Sequence, residues 1–176
     1  MTNHIHLLLT PSAENSIQRV IQHLGRQYVQ YINKHYGRSG SLWEGRYKGS
    51  LVPEDHYLLS CYRYIELNPV TAGMVEKPEE YPWSSFHCNG VGKPDLLISP
   101  HDIYLGLSST VEDRCFAYRE LFNFPLSEYD IHEIRESLSS NHLLGNSRFK
   151  GQIEARLGHK IGDRLRGRPS NISNKG

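Results

Sequence analysis

The feature that most restricts the fold is a stretch between Ser16 and Gly37 with apolar residues at helical spacing. The apolar side chains that share this spacing are Ile17, Val20, Ile21, Leu24, Tyr28, Tyr31 and Ile32. Residues that recur every three or four positions lie on one face of an α-helix. Ser12, Asn15 or Ser16 can cap its start, and Gly37 is expected to end it. The sequence therefore predicts a long helix that ends at Gly37.

Strands are predicted on both sides of this helix. The first ten residues alternate and then run apolar before Thr10 and Pro11, which is typical of a buried strand. After the helix, the run GRSGSLWEGRYKGSLV joins glycine and serine turn residues to Trp43 and Tyr47. This composition predicts a strand or a hairpin that carries cationic side chains.

A second helix is predicted over about residues 55–68. Pro53 precedes it, and the acidic pair Glu54 and Asp55 suits the positive end of a helix dipole. Pro69 is expected to end it, because proline lacks an amide donor and clashes with the preceding turn.

The run of residues 78–95 is rich in proline, glycine and serine and has no period, so it predicts an extended connector. We expect three aromatic side chains to pack it, namely Tyr81, Trp83 and Phe86.

Three short helices are expected farther along the chain. They are predicted to follow the capping residues Thr110, Ser127 and Asn146, and Gly158 is expected to end the last one. The predicted organisation is a domain of strands and helices over residues 1–90, a helical region over 91–160 and a basic, disordered tail over 161–176.

The charges of the chain are unevenly distributed. The formal net charge is +1, but the segment from Arg148 onward holds eight basic residues against two acidic ones. Such asymmetry indicates a tail that meets nucleic acid. Within the tail, Arg164, Arg166 and Arg168 either enter a DNA minor groove or bind phosphates nonspecifically.

Cysteine usage and hydropathy exclude several classes of protein. The three cysteines form no CxxC pair, which disfavours both a disulfide framework and a cysteine-type zinc site. No run approaches the length of a membrane span, and the N-terminus lacks the pattern of a signal peptide. The expected location is the cytoplasm, with no membrane partner.

The tripeptide His4-Ile5-His6 is the first candidate for chemistry. Side chains at positions i and i+2 of a strand share a face, so both imidazoles would point to one site and could hold one cation. The alternative is a pair of surface histidines that happen to alternate on an edge strand.

Tyr64 and Asn68 form the second candidate. Four residues apart on a helix, they share a face, so a phenolic oxygen and an amide oxygen can approach one site. Attack by a phenol on a phosphodiester needs a cation that polarises the phosphate. Imidazole and oxygen ligands favour Mg²⁺ or Mn²⁺. The alternative is a packing tyrosine next to an ordinary helix end.

A third candidate combines cations with aromatic rings. Arg38, Arg46 and Lys48 alternate with Trp43 and Tyr47. Cations for phosphates and rings for unstacked bases are what a groove for single-stranded DNA requires. The alternative is a solvated hairpin with two core aromatics.

Four runs stand in the order NHIHLLL, GRSGSLWEGRYKGSLV, YRYIELNPVTAGMV and YPWSSF. This order resembles the REP-associated tyrosine transposases, a bacterial branch of the His-hydrophobic-His single-tyrosine (HUH, Y1) transposases. The resemblance covers about residues 1–86 closely, and the RGRP tail is similar to extensions found in that family.

The resemblance implies a metal pair at His4 and His6, a nucleophile at Tyr64 and a third protein ligand at Asn68. It also implies an α+β fold, a ferredoxin-like antiparallel sheet with helices on one face. The implied substrate is single-stranded DNA with hairpins, cleaved through a 5′-phosphotyrosine link during transposition. Whether the chain forms a homodimer is left open.

Relatives in this family generally have a strand and a helix before the metal histidines, whereas this chain begins three residues before His4. The resemblance therefore predicts a catalytic domain truncated at its N-terminus. Two other functions are kept as hypotheses: a catalytically inactive DNA-binding protein, and a metallohydrolase unrelated to DNA.

Overall fold

The structure is a computed structural model that describes residues 3–53, 56–140 and 143–161. Its regular elements within these ranges are helices. The α-helices are α1 (Ser16–Tyr36), α2 (His56–Thr71), α3 (Phe86–Asn89), α4 (Asp102–Leu105), α5 (Val111–Glu120), α6 (Glu128–Ser140) and α7 (Ser147–Leu157). Two short 3-10 helices span Pro78–Glu80 and Leu121–Asn123.

The expected ferredoxin-like antiparallel sheet is wrong for the described residues, which contain helices and no strand. The two predicted strand segments, residues 4–10 and 38–52, have irregular backbone. Within the described ranges, no backbone hydrogen bond joins residues 4–10 to another segment. A strand is stable only when a neighbouring strand satisfies its amide and carbonyl groups. An apolar, alternating sequence supplies the pattern for pairing but not the partner.

Helix α1 confirms the first predicted helix and its end. Gly37 adopts the left-handed conformation with φ 59°, and its amide donates to the carbonyl of Asn33. Asn15 precedes the helix without a side-chain capping bond. None of the α1 residues is buried, and Tyr31 is 62% exposed. The apolar stripe of α1 therefore lies at the surface of the described part of the chain.

Helix α2 confirms the second predicted helix, but its expected end at Pro69 is wrong. The helix continues through Pro69 to Thr71. The amide of Ala72 donates to the carbonyl of Asn68 at 2.9 Å, and the amide of Met74 donates to the carbonyl of Pro69 at 2.9 Å. These bonds satisfy the last turn, so the proline removes only its own donor.

Helix α2 lies between two hydrophobic clusters. The first cluster joins Tyr57, Cys61, Ile134 and Leu144, with Leu8, Val52, Tyr64 and Leu138 packed against it. The second joins Phe86, Tyr104 and Tyr118, with Leu59, Tyr62, Leu107, Leu121 and Phe122 packed against it. Both clusters include side chains from α2. Helices from the C-terminal half therefore hold α2 on two sides.

The three helices predicted for the C-terminal half are confirmed as α5, α6 and α7. Thr110 Oγ1 accepts the amide of Asp113 at 3.1 Å before α5, and Asn146 Oδ1 accepts the amide of Phe149 at 2.9 Å before α7. These are N-caps that satisfy free amides of the first turn. Gly158 ends α7 in the left-handed conformation.

The extended connector is only partly as expected. Phe86 is buried, but Trp83 is 84% exposed and does not pack. Residues 86–89 form a short helix, and Ser85 before it and Asn89 at its end donate hydrogen bonds to Glu66 of α2. In the described residues, no helix has the length and apolar character needed to cross a membrane.

Candidate functional site

The two histidines of the His4-Ile5-His6 tripeptide lie side by side. Their ring centroids are 4.9 Å apart, with the planes at 90°. Nδ1 of His4 lies 2.7 Å from Oδ1 of Asn3. If Nδ1 carries the proton of this bond, Nε2 keeps a free lone pair for a ligand. The pairing that was predicted for a strand is thus present on irregular backbone.

His6 also meets the predicted nucleophile. Its ring centroid is 5.9 Å from that of Tyr64, with the planes at 82°. Partial burial, and then the neighbouring His4, lower the pKa of His6. A lowered pKa favours the neutral imidazole near pH 7, and the neutral form is the one that ligates metals.

Tyr64 and Asn68 come from consecutive turns of α2. Tyr64 is half-buried and packs against the first hydrophobic cluster, which also contacts Leu8 from the histidine segment. Nδ2 of Asn68 donates to the backbone carbonyl of Tyr64 at 2.9 Å. This bond uses the amide nitrogen of Asn68 and leaves Oδ1 as the atom that can act as a ligand.

The predicted cation–aromatic group lies in the loop that follows α1. Trp43 stacks obliquely on Tyr28 with centroids 5.9 Å apart, and its Nε1 donates to the carbonyl of Gly25 at 3.4 Å. A Cβ at Gly25 would lie 3.3 Å from that nitrogen, so the glycine admits the indole. Arg38, Arg46 and Lys48 are exposed on the same loop. Arg164, Arg166 and Arg168 lie outside the described residues.

Two groups of titratable side chains were not predicted from the sequence. On α6, His132, Glu133 and Glu136 place potential ligand atoms within 4.8 Å of one another. On α2, Glu66 is completely buried and accepts three hydrogen bonds. The HExxE spacing in α6 could have indicated the first group. The second could not be found from sequence, because its partners are up to 52 residues away.

Comparison with known proteins gives a match for the part of the chain that holds His6 and Tyr64. Residues 1–68 match the family described as IS200-like transposases. The similarity to IS200-like transposases therefore lies in the N-terminal part of the chain.

A curated relative supports the same family. A Haemophilus influenzae protein, whose name assigns it to the REP-associated tyrosine transposases, is 30% identical over 97 residues. The alignment covers 49% of this chain and 55% of the relative, so the chain spans about half the length of that protein. No solved structure matches the chain.

Proposed function

We propose that this chain is a DNA strand transferase that cleaves and rejoins single-stranded DNA with hairpins, using Tyr64 as its nucleophile. The observation that carries the proposal is the contact between His6 and Tyr64, whose ring centroids are 5.9 Å apart although the residues are 58 positions apart in sequence. It brings a pair of imidazoles next to a phenol in a chain whose residues 1–68 match the IS200-like transposases.

The side chains present suit a divalent cation. His4 and His6 offer adjacent imidazole nitrogens, and Asn68 offers an amide oxygen because its nitrogen is already bonded to Tyr64. Two imidazole nitrogens and an amide oxygen suit Mg²⁺ or Mn²⁺ better than they suit a metal that prefers thiolate ligands. When bound, such a cation would polarise the scissile phosphate and offset developing negative charge.

The reaction of the chain's own residues is a transesterification. The phenolic oxygen of Tyr64 forms a bond to phosphorus while the bond from phosphorus to the 3′-oxygen breaks. The phenolic proton is lost, and the departing 3′-oxygen takes up a proton, so no oxidant or nucleotide is consumed. The product is a 5′-phosphotyrosine and a free 3′-hydroxyl. Attack by a 3′-hydroxyl on that linkage reverses the step and rejoins DNA.

The loop after α1 is the proposed contact for the strand. Arg38, Arg46 and Lys48 are exposed cations for phosphates, and Trp43 is a 43% exposed indole for stacking with bases. Contacts with Tyr28 and Gly25 already fix the Trp43 side chain. Stacking of a base on the indole would therefore cost little further side-chain entropy. The tail residues Arg164, Arg166 and Arg168 add nonspecific or minor-groove affinity in the same proposal.

The test is covalent capture of a labelled DNA hairpin with single-stranded flanks. The chain is incubated with the DNA and Mg²⁺ or Mn²⁺, and the products are separated by denaturing electrophoresis. A covalent band is expected for the unaltered chain and for Tyr31→Phe, which changes a tyrosine of α1 that is 62% exposed. Tyr64→Phe should form no band but keep noncovalent DNA binding. A band retained in Tyr64→Phe would overturn the assignment.

The cationic loop also supports a second function, a DNA-binding protein without cleavage. That protein would bind single-stranded DNA with an affinity that falls as salt rises, and would form no covalent band with either cation. A metallohydrolase unrelated to DNA would instead keep its activity in Tyr64→Phe, because water would be its nucleophile.

A further inference from the structure

Glu66 is a carboxylate at the centre of the described helices. Its exposed fraction is 0%. Oε1 accepts hydrogen bonds from Ser85 Oγ at 2.6 Å and from Asn89 Nδ2 at 2.9 Å. Oε2 accepts the phenolic hydrogen of Tyr118 at 2.7 Å. A buried carboxylate is tolerated only with such partners, and here all three partners are neutral.

The three donors come from different parts of the chain. Ser85 directly precedes α3, Asn89 ends α3, and Tyr118 lies in α5. The bond to Ser85 also links the run YRYIELNPV, which contains Glu66, to the run YPWSSF, which contains Ser85. A single side chain of α2 is therefore bonded to two other helices, and each bond restrains the rotation of α2 about its own axis.

Glu66 lies two residues after Tyr64 and two before Asn68. At about 100° per residue, it points roughly 200° away from each of them around the helix. The side of α2 that Glu66 anchors is thus opposite the side that presents Tyr64 to His6. A rotation of α2 that broke the Glu66 bonds would move Tyr64 in its contact with His6, since the backbone of a helix turns as a unit.

We propose that Glu66 is a positioning residue for Tyr64: its bonds to Ser85, Asn89 and Tyr118 set the rotation of α2 and so hold the phenol against His6. The geometric part of this inference stands on the contacts alone, and its consequence for DNA cleavage rests on the proposed function. A phenol displaced by about 1 Å from the phosphate would lose roughly a hundredfold in rate.

Two matched variants separate positioning from stability. Tyr118→Phe and Tyr104→Phe each delete one buried phenolic hydroxyl from the second hydrophobic cluster. The Tyr118 hydroxyl donates to Glu66, whereas the Tyr104 hydroxyl donates to the backbone carbonyl of Asn89 at 2.8 Å. Both losses should lower stability similarly, but only the first removes a bond of Glu66.

The first measurement is single-turnover covalent capture of the labelled hairpin, together with the Kd for the same DNA, well below the unfolding temperature. We expect Tyr118→Phe to reduce the capture rate by roughly tenfold, with Kd unchanged, and Tyr104→Phe to match the unaltered chain. Glu66→Gln keeps the shape and two accepting bonds of the side chain, so it should retain more of the rate than Glu66→Ala. Equal rates for both phenylalanine variants would overturn the inference.

A second measurement does not depend on cleavage. The Tyr64 ring should shift the NMR resonance of the His6 Cε1 proton, and Tyr64→Leu defines the shift without the ring. We expect Tyr118→Phe to move that resonance toward the Tyr64→Leu value and Tyr104→Phe to leave it in place. An unmoved resonance in Tyr118→Phe would refute the positioning role. If the unaltered chain forms no covalent band, the proposed function fails while this comparison still decides the inference.

Discussion

Leu144→Ala is expected to lower the free energy of unfolding by about 3 kcal/mol. Leu144 is 1% exposed and belongs to the first hydrophobic cluster with Tyr57, Cys61 and Ile134. The substitution removes three side-chain carbons, worth about 0.8 kcal/mol each in transfer free energy, and leaves a cavity that adds to the loss. The amide of Leu144 donates to the carbonyl of Leu51 at 3.1 Å, and alanine keeps that bond.

The assay is urea and thermal unfolding followed by circular dichroism at 222 nm, a wavelength that reports helix. For a chain of this size, a loss of about 3 kcal/mol corresponds to a fall in Tm of roughly 6–12 °C. Leu97→Ala is the matched control, because Leu97 is 88% exposed and should change stability by less than about 0.5 kcal/mol. If the two variants differ by less than about 1 kcal/mol, Leu144 does not fill a core beside α2 and the packing argument is wrong.

Three further predictions concern pH, capping and metal. Burial raises the pKa of the Cys61 thiol to about 12, above its ordinary 9.0. The unfolded thiol therefore ionises first, and Cys61 should contribute about 1 kcal/mol to the loss of stability between pH 8 and pH 10. In urea unfolding, Cys61→Ala should make that loss smaller by about this amount, and an unchanged loss would refute the assignment. Thr110→Val deletes the oxygen that accepts the amide of Asp113 at 3.1 Å, and thermal unfolding should show a loss of about 1 kcal/mol; an unchanged Tm would count against the cap. His6→Ala should abolish Mn²⁺ binding in isothermal titration calorimetry, whereas His132→Ala should preserve it; the opposite pattern would assign the ion to α6 instead.

The packing of α2 gives the C-terminal half a direct bearing on the proposed chemistry. Ile134 of α6 belongs to the cluster against which Tyr64 packs, and the Tyr118 hydroxyl of α5 donates to Glu66. The helix that carries Tyr64 and Asn68 is therefore held by residues outside the part of the chain that matches the transposase family. Removing the residues beyond 100 should expose the two sides of α2 that face the hydrophobic clusters.

The sequence by itself determined five of the helices, α1, α2, α5, α6 and α7, because their signals are local. Spacing of apolar residues, a capping Thr110 or Asn146 and a left-handed Gly37 act within a few residues of where they stand. The same locality explains why His4 and His6 could be predicted as neighbours, and why Tyr64 and Asn68 could be placed on one face.

The tertiary structure decided everything that depends on a distant partner. The predicted strands are absent from the described residues because pairing needs a second segment at the correct distance, which an alternating pattern cannot supply. The contact of His6 with Tyr64 and the three bonds of Glu66 join residues that sequence spacing cannot relate. Pro69 stays within α2 for the same reason, since packing on two sides of the helix outweighs one missing donor.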